Sequence, residues 1–292
     1  MTATITNSQD RSSDTETQFI NAVPVRRYGQ LIAGFCIVVL TVGFVLSLAR
    51  NDNLDWATVS ENLTAETVLR GLVVTFQLSI VSMLAGVVLG ALLAVARMSE
   101  NRLLQVVSIT YVWFFRGVPL LVLILIWGNF GLLFSHLSLG IPFTNVVFFE
   151  VETNTVLTTF VAACIALALH EAAYMAEIVR GGILAVDAGQ QEAAAALGMT
   201  KGRAMRRIIL PQAMRVIIPP TGNQFITLIK SSSLVSVIAG GDLMTAVTDI
   251  GASNYRIIET LLVGTFWYLV IVSVLSIGQR FLERRLSRGF TR

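Results

Sequence analysis

Long apolar runs alternate along the chain with short polar connections. A helix needs about 20 apolar residues to cross a bilayer. Residues 31–49, 67–96, 155–179 and 259–278 form runs of this kind. Two further runs are interrupted. Arg116-Gly117-Val118-Pro119 divides residues 103–134, and Pro219-Pro220 falls early in residues 216–239. Proline removes a backbone N–H and clashes with the preceding turn. The pattern therefore predicts six spans, with Pro119 starting or kinking the third and the fifth broken near Pro219-Pro220.

The connections alternate in charge. Arg26 and Arg27 precede the first span, and Arg97 and Arg102 flank the second turn. Arg180, Lys201, Arg203, Arg206, Arg207 and Arg215 mark the fourth connection. The end of the chain carries Arg280, Arg284, Arg285, Arg288 and Arg292. The intervening connections are acidic: Asp52, Asp55, Glu61 and Glu66 in 50–66, Glu150 and Glu152 in 135–154, Asp242 and Asp249 in 240–258. Lys and Arg mark cytoplasmic loops. Both termini and the 180–215 region are expected in the cytoplasm. Residues 1–29 are rich in Ser, Thr and Asp without apolar pattern, and read as a disordered cytoplasmic tail. Residues 30–50 read as a permanent anchor helix. The run exceeds the 7–15 residues of a signal-peptide core and no small-x-small cleavage site follows. Residues 281–292 read as a basic cytoplasmic tail.

Composition agrees with an all-α integral membrane protein that has no soluble domain. Of 292 residues, 54% are hydrophobic and 13% charged, against about 25% charged in average soluble domains. A net charge of +3 fits basic cytoplasmic loops better than nucleic-acid binding. Cys36 and Cys164 both fall in apolar runs and fit neither a disulfide framework nor a metal site. No G-x-x-x-x-G-K-[ST] loop occurs, so the chain binds no ATP through that motif. His170-Glu171-Ala172-Ala173-Tyr174 begins like H-E-x-x-H, but Tyr174 stands where the second metal-binding His belongs. His136 is the other histidine, in an acidic connection. G-x-S-x-G is absent. No hydrolase chemistry is expected and no cofactor is expected on this chain.

Within the basic fourth connection lies Gly189-Gln190-Gln191-Glu192-Ala193-Ala194-Ala195-Ala196-Leu197-Gly198. Alanine favours helix and glycine ends it. The segment predicts a two-turn peg with Glu192 in its first turn and Ala193 and Leu197 on one face. Methyl side chains let another protein approach its backbone closely.

The peg and its flanks resemble the cytoplasmic loop of ABC importer permeases, which reads roughly E-A-A-x-x-x-G followed by I-x-L-P. Here Glu192-Ala193-Ala194 leads to Gly198, and Ile208-Ile209-Leu210-Pro211 follows. The branch for polar amino acids (histidine, glutamate, glutamine, arginine, opines) is similar at further places. These are Phe115-Arg116-Gly117-Val118-Pro119-Leu120, Ala173 to Gly181, Leu210-Pro211-Gln212-Ala213 and Lys230-Ser231-Ser232-Ser233-Leu234. The resemblance covers residues 67–280. It implies a type I ABC importer permease fold, a five-helix core plus one extra N-terminal transmembrane helix, with a coupling loop at about 181–215. It also implies partners: two ATPase subunits that hold ATP and Mg, a second permease subunit, and an extracytoplasmic amino-acid-binding protein. The membrane would be the bacterial cytoplasmic (inner) membrane. Glu192, Ala193, Ala194, Leu197 and Gly198 are then the coupling candidates, with Arg203 and Arg206 as further contacts. Ser231 and Ser232 depart from the more polar residue and Thr common in this branch.

Ionisable groups inside spans are costly and are functional or paired. His170, Tyr174 and Glu177 share a helix face by spacing, and Asn223, Thr227 and Lys230 repeat that spacing. With Glu171 and Ser231 they outline a hydrophilic path for substrate. A Glu171–Lys230 pair that only fixes helix packing is the other reading. An ion-coupled carrier or channel would account for these charges but not for the peg.

Overall fold

The computed structural model describes residues 28–140 and 147–287. Four single helices and two bent helix pairs have the length and apolarity to cross a membrane. They correspond to the six runs of the sequence. The chain divides into two compact units after Asn53. In the first, α1 (Tyr28–Ala49) is apolar on all sides and has no buried residue. An all-round apolar surface suits a helix set in lipid. The expected tail at 1–29 falls outside the described residues except for Tyr28 and Gly29, which begin α1.

The second unit is organised on α3 (Glu66–Arg97) and α8 (Thr159–Leu184), which lie against each other along their length. Glycine and alanine make this possible. A Cβ on Gly90 would fall 2.5 Å from the Met175 Cβ and 2.8 Å from the Ala172 carbonyl oxygen. On Gly86 it would fall 2.9 Å from the Glu171 Cβ. Ala162, Ala163, Ala166, Ala172, Ala173 and Ala176 of α8 are buried. Lipid offers no hydrophobic drive between helices, so close approach of small residues carries the packing.

The acidic connection before α3 folds as α2 (Trp56–Leu63). Asp55 caps it, accepting from Ala57 N at 3.0 Å and Thr58 Oγ1 at 2.9 Å. The hydrogen bonds from Thr58 hold this carboxyl below the usual carboxylate range. After α3 come α4 (Arg102–Gly117) and α5 (Leu120–Gly128), which meet at 97°. Pro119 stands between them, as its chemistry predicts. One turn, α6 (Phe130–Leu133), leads to a hairpin of β1 (His136–Gly140) and β2 (Val147–Glu152). The hairpin is antiparallel, with Leu137 opposite Val151. A further turn, α7 (Thr153–Val156), returns the chain to α8.

Beyond α8 lie α9 (Ala188–Ala196) and α10 (Lys201–Ala204), a π-helical turn at Met205–Ile209, and α11 (Leu210–Ser231). Here the expected break is corrected. The helix continues through Pro219 and Pro220 and gives way only at a 3₁₀ segment, Ser232–Ile238. Neighbouring groups hold the proline stretch. Gln279 donates to the Pro219 carbonyl at 2.7 Å, fitting over the bare Cα of Gly222, and Thr221 Oγ1 donates to Ile217 O at 2.8 Å. The prolines withdraw donors from the Arg215 and Val216 carbonyls, and the bonds to the Ile217 and Pro219 carbonyls tie the stretch beside them to its own side chain and to α13. The chain then turns through Ala239 and Gly241, both at positive φ.

Residues 240–258, read as an acidic loop, mostly form α12 (Leu243–Asn254). Asp242 is wholly buried as its cap, accepting from Met244 N at 3.0 Å and from Thr245 Oγ1. The buried residues Val59, Val68, Leu243, Val247 and Val263 form a small core around it. The last helix, α13 (Ile257–Ser287), continues through most of the expected basic tail. Residues 288–292 of that tail lie outside the described residues.

Candidate functional site

Two places concentrate the residues that the sequence singles out. The first is α9. Asp187 caps it, accepting from Gly189 N at 2.7 Å. Its end is closed by Gly198 at φ +69. Gly198 N donates to Ala195 O at 2.9 Å and Met199 N to Ala194 O at 3.0 Å. This pair of bonds around a left-handed glycine is the Schellman ending, which a side chain at that position would strain. Ala194 is buried, whereas Ala193, Ala195 and Ala196 are exposed. Leu197 is 80% exposed at the tip. Arg203 on α10 and Arg206 and Arg207 on the π-helical turn are exposed too. One detail is corrected. The helix starts at Ala188, so Glu192 stands in its second turn, beyond the reach of the dipole argument.

The second place is a cavity of about 240 Å³ between α8, α11 and the start of α5. It is lined by Leu120, His170, Glu171, Tyr174, Gln224, Thr227, Leu228 and Ser231. Five residues of the expected path therefore come together: His170, Glu171, Tyr174, Thr227 and Ser231. Asn223 and Lys230 do not join them. Asn223 donates to Glu283 on α13 at 3.2 Å. Lys230 is exposed on a different hollow of about 330 Å³, with Met244, Leu261, Tyr268 and Leu269. The Glu171–Lys230 pair is corrected accordingly: no ion pair joins them among the described residues. The reason is angular, because one residue turns a helix by about 100°. Gln224, Thr227, Leu228 and Ser231 form one stripe, and Lys230 lies turned from it toward α13.

Glu171 is 1% exposed. Gln224 donates to its Oε2 at 3.2 Å, while Oε1 has no partner among the described residues. Sequence reasoning missed Gln224. Its spacing of three and seven residues from Thr227 and Ser231 was the available signal.

His170 has a structural task as well as a place on the cavity. In α4 the Phe115 carbonyl would accept from the N–H of residue 119, which is proline and has none. His170 Nδ1 lies 3.1 Å from that oxygen. A carbonyl only accepts, so the ring donates through Nδ1–H and Nε2 remains for other partners. Beside it the Arg116 guanidinium lies over the Tyr174 ring, 5.3 Å from its centroid, close enough for a cation–π contact. Glu177, read as part of the same face, is instead bonded to Arg97 and, at 2.9 Å, to Arg180.

Residues 86–288 match the family described as binding-protein-dependent transport system inner membrane component. The chain is 43% identical over 288 residues to an arginine transport system permease protein of Corynebacterium glutamicum, covering 98% of this chain and 89% of that one. An arginine transport system permease protein of Bacillus subtilis is 35% identical over 234 residues, 80% of this chain and 98% of its own. A crystal structure of an amino acid ABC transporter with histidines superposes at a TM-score of 0.64 with 36% identity. That match covers 75% of this chain and 94% of the other.

The Phe115 carbonyl yields a prediction. His170→Ala leaves it without a donor and should destabilise the protein by about 1–3 kcal/mol. Pro119→Ala restores an N–H at position 119. Thermal unfolding in detergent should then show a smaller loss from His170→Ala in the Pro119→Ala background. Equal losses in both backgrounds would refute the compensation.

Proposed function

Because the chain belongs to the binding-protein-dependent transport system inner membrane component family, we propose that it carries a cationic amino acid of the arginine type through an ATP-driven importer. The observation that carries the substrate class is Glu171: a buried carboxylate on a membrane cavity, with one oxygen lacking a partner among the described residues. A cationic side chain is the partner that such an oxygen lacks. Arg116, held over the ring of Tyr174, which lines the cavity, supplies a positive group for the substrate carboxylate. His170 Nε2, Thr227 and Ser231 add polar contacts. The arginine named for both bacterial relatives supports the same class.

The remaining parts follow from the family. Hydrolysis of ATP, with its Mg, belongs to two ATPase subunits, one of which docks on α9. Ala193, Ala194, Leu197 and Gly198 give α9 its low, apolar profile, and Glu192, Arg203 and Arg206 surround it with charge. A second permease subunit, identical or paralogous, completes the passage, and an extracytoplasmic binding protein delivers the amino acid. The basic ends of the spans favour an orientation with both termini and α9 in the cytoplasm of a bacterium. An ion-coupled carrier would leave α9 without a task.

Binding tests the substrate class. In the purified complex without binding protein, Glu171→Gln should weaken arginine binding about ten- to a hundredfold, the worth of one charge-assisted hydrogen bond. Glutamine binding should change little. Unaltered arginine affinity would overturn the assignment.

Docking is tested by bulk. Ala193→Trp places a ring where a methyl group fits, and overpacking costs about 1–3 kcal/mol or more. The variant should insert normally yet lose ATPase copurification and uptake. Full copurification would leave α9 without its docking task.

Orientation is tested by labelling in a background lacking Cys36 and Cys164. Cysteine at the exposed positions Ser60 and Ser253 should react with an impermeant reagent added to cells, and cysteine at Thr200 should not. The opposite pattern would invert the topology.

A further inference from the structure

Two elements flank the docking helix α9 in the chain, and charge ties both of them to one short turn. The turn joins α3 to α4 at residues 98–101. At its start, Arg97 bonds Glu177 of α8, the helix that runs into α9. At its other side, Glu100 accepts from Lys201 Nζ at 2.7 Å. Lys201 is the first residue of α10, which follows α9. The docking helix is therefore slung between two ties that share an anchor.

The anchor is stiff. Gln105 donates to Ser99 O at 2.6 Å, and Asn101 N to Ser99 Oγ at 3.2 Å. Asn101 in turn caps α4, accepting from Leu103 N at 2.9 Å. Further along, Ser108 donates to Leu93 O at 2.8 Å and fastens α4 to α3. From Arg102 to Gly117 α4 runs 16 residues, roughly 24 Å. Its last turn holds Phe115, bonded by His170, and Arg116, seated over Tyr174. Both of those partners line the cavity.

The Glu100–Lys201 pair has little to offer stability. Its side chains are 89% and 94% exposed, and exposed ion pairs contribute next to nothing. What it supplies is a directional restraint across 101 positions of sequence. Deformable points stand on both sides. The π-helical turn at Met205–Ile209 follows α10, and such turns recur at functional sites. The 97° bend lies at the far end of α4.

We infer that the 97–101 turn is a relay of the transport cycle. It takes up movement of α9 through Lys201–Glu100 and Glu177–Arg97, and passes it along α4 to the cavity. The inference rests on the reading of α9 as the ATPase-docking helix. Neither Glu100 nor Lys201 contacts the cavity, so both act as positioning residues.

Charge exchange in the complete complex tests it. Glu100→Lys, Lys201→Glu and the double variant are reconstituted with the ATPase subunits and the binding protein. ATPase activity is measured with and without arginine, together with copurification of the ATPase. Each single variant should lower the ratio of stimulated to basal activity about two- to fivefold, the reach of an exposed ion pair. Basal activity and copurification should stay at the original level. The double variant, which reforms the pair with reversed signs, should restore the ratio. Glu100→Gln, which removes the tie without adding a charge, should shift it in the same direction as Glu100→Lys. An unaltered ratio in the single variants overturns the relay, and so does a double variant in which the losses add. The docking reading fails by a different sign, full ATPase copurification in Ala193→Trp.

Discussion

The approach of α3 to α8 is the constraint from which the rest of the molecule follows. At Gly86 and Gly90 no side chain would fit between the helices. In lipid such contact replaces the hydrophobic drive that assembles soluble proteins. The contact also sets the depth and rotation of α8. With its Cβ held against Gly86, Glu171 extends into the cavity rather than toward lipid. Its neighbours His170 and Tyr174 follow by helix geometry. One helix thus presents the cavity residues along its length and continues at its end into α9.

A second constraint is the need to satisfy every backbone group where water is scarce. Where a span bends at Pro119, a side chain restores the lost bond. Pro119 deprives the Phe115 carbonyl of its donor and His170 replaces it. Across Pro219 and Pro220 α11 stays helical, and Gln279 of α13 packs onto it, donating to the Pro219 carbonyl. Asp242 closes the start of α12 and is itself satisfied by Met244 N and Thr245. The polar side chains inside this membrane protein divide into two kinds. Most repair the backbone. Glu171 and Tyr268 each keep a buried oxygen without such a partner among the described residues, and Glu171 is the charged one of the two, on the polar cavity.

Charge around α9 and the neighbouring ends of α3 and α8 follows the same division. Arg97, Glu177 and Arg180 form a partly buried network that fixes the ends of α3 and α8. Arg203, Arg206 and Arg207 stay exposed beside α9, where a partner can meet them. Glu100 and Lys201 are exposed as well, yet bonded to each other. A single rule about basic loops covers all of these residues and distinguishes none of them.

Periodicity and local chemistry were enough to place the spans, the bend at Pro119 and the short helix α9 with its glycine ending. These depend on transfer of apolar side chains and on backbone geometry, both local to the chain. The family also stood in short motifs readable without a fold. Three features did not follow from sequence. Proline at 219 and 220 reads as a break, but the helix runs through both and packs against α13, whose Gln279 reaches the Pro219 carbonyl from 60 positions away. The 240–258 segment reads as a loop because Asp242 and Asp249 are charged, while burial of Asp242 depends on partners that only α12 and its neighbours assemble. The path reads as Asn223, Thr227 and Lys230 because spacing defines a face without saying which neighbour it meets. Tertiary packing decided that. It turned Gln224 and Ser231 toward Glu171, and Lys230 away from it, because α8 covers one side of α11 and α13 the other.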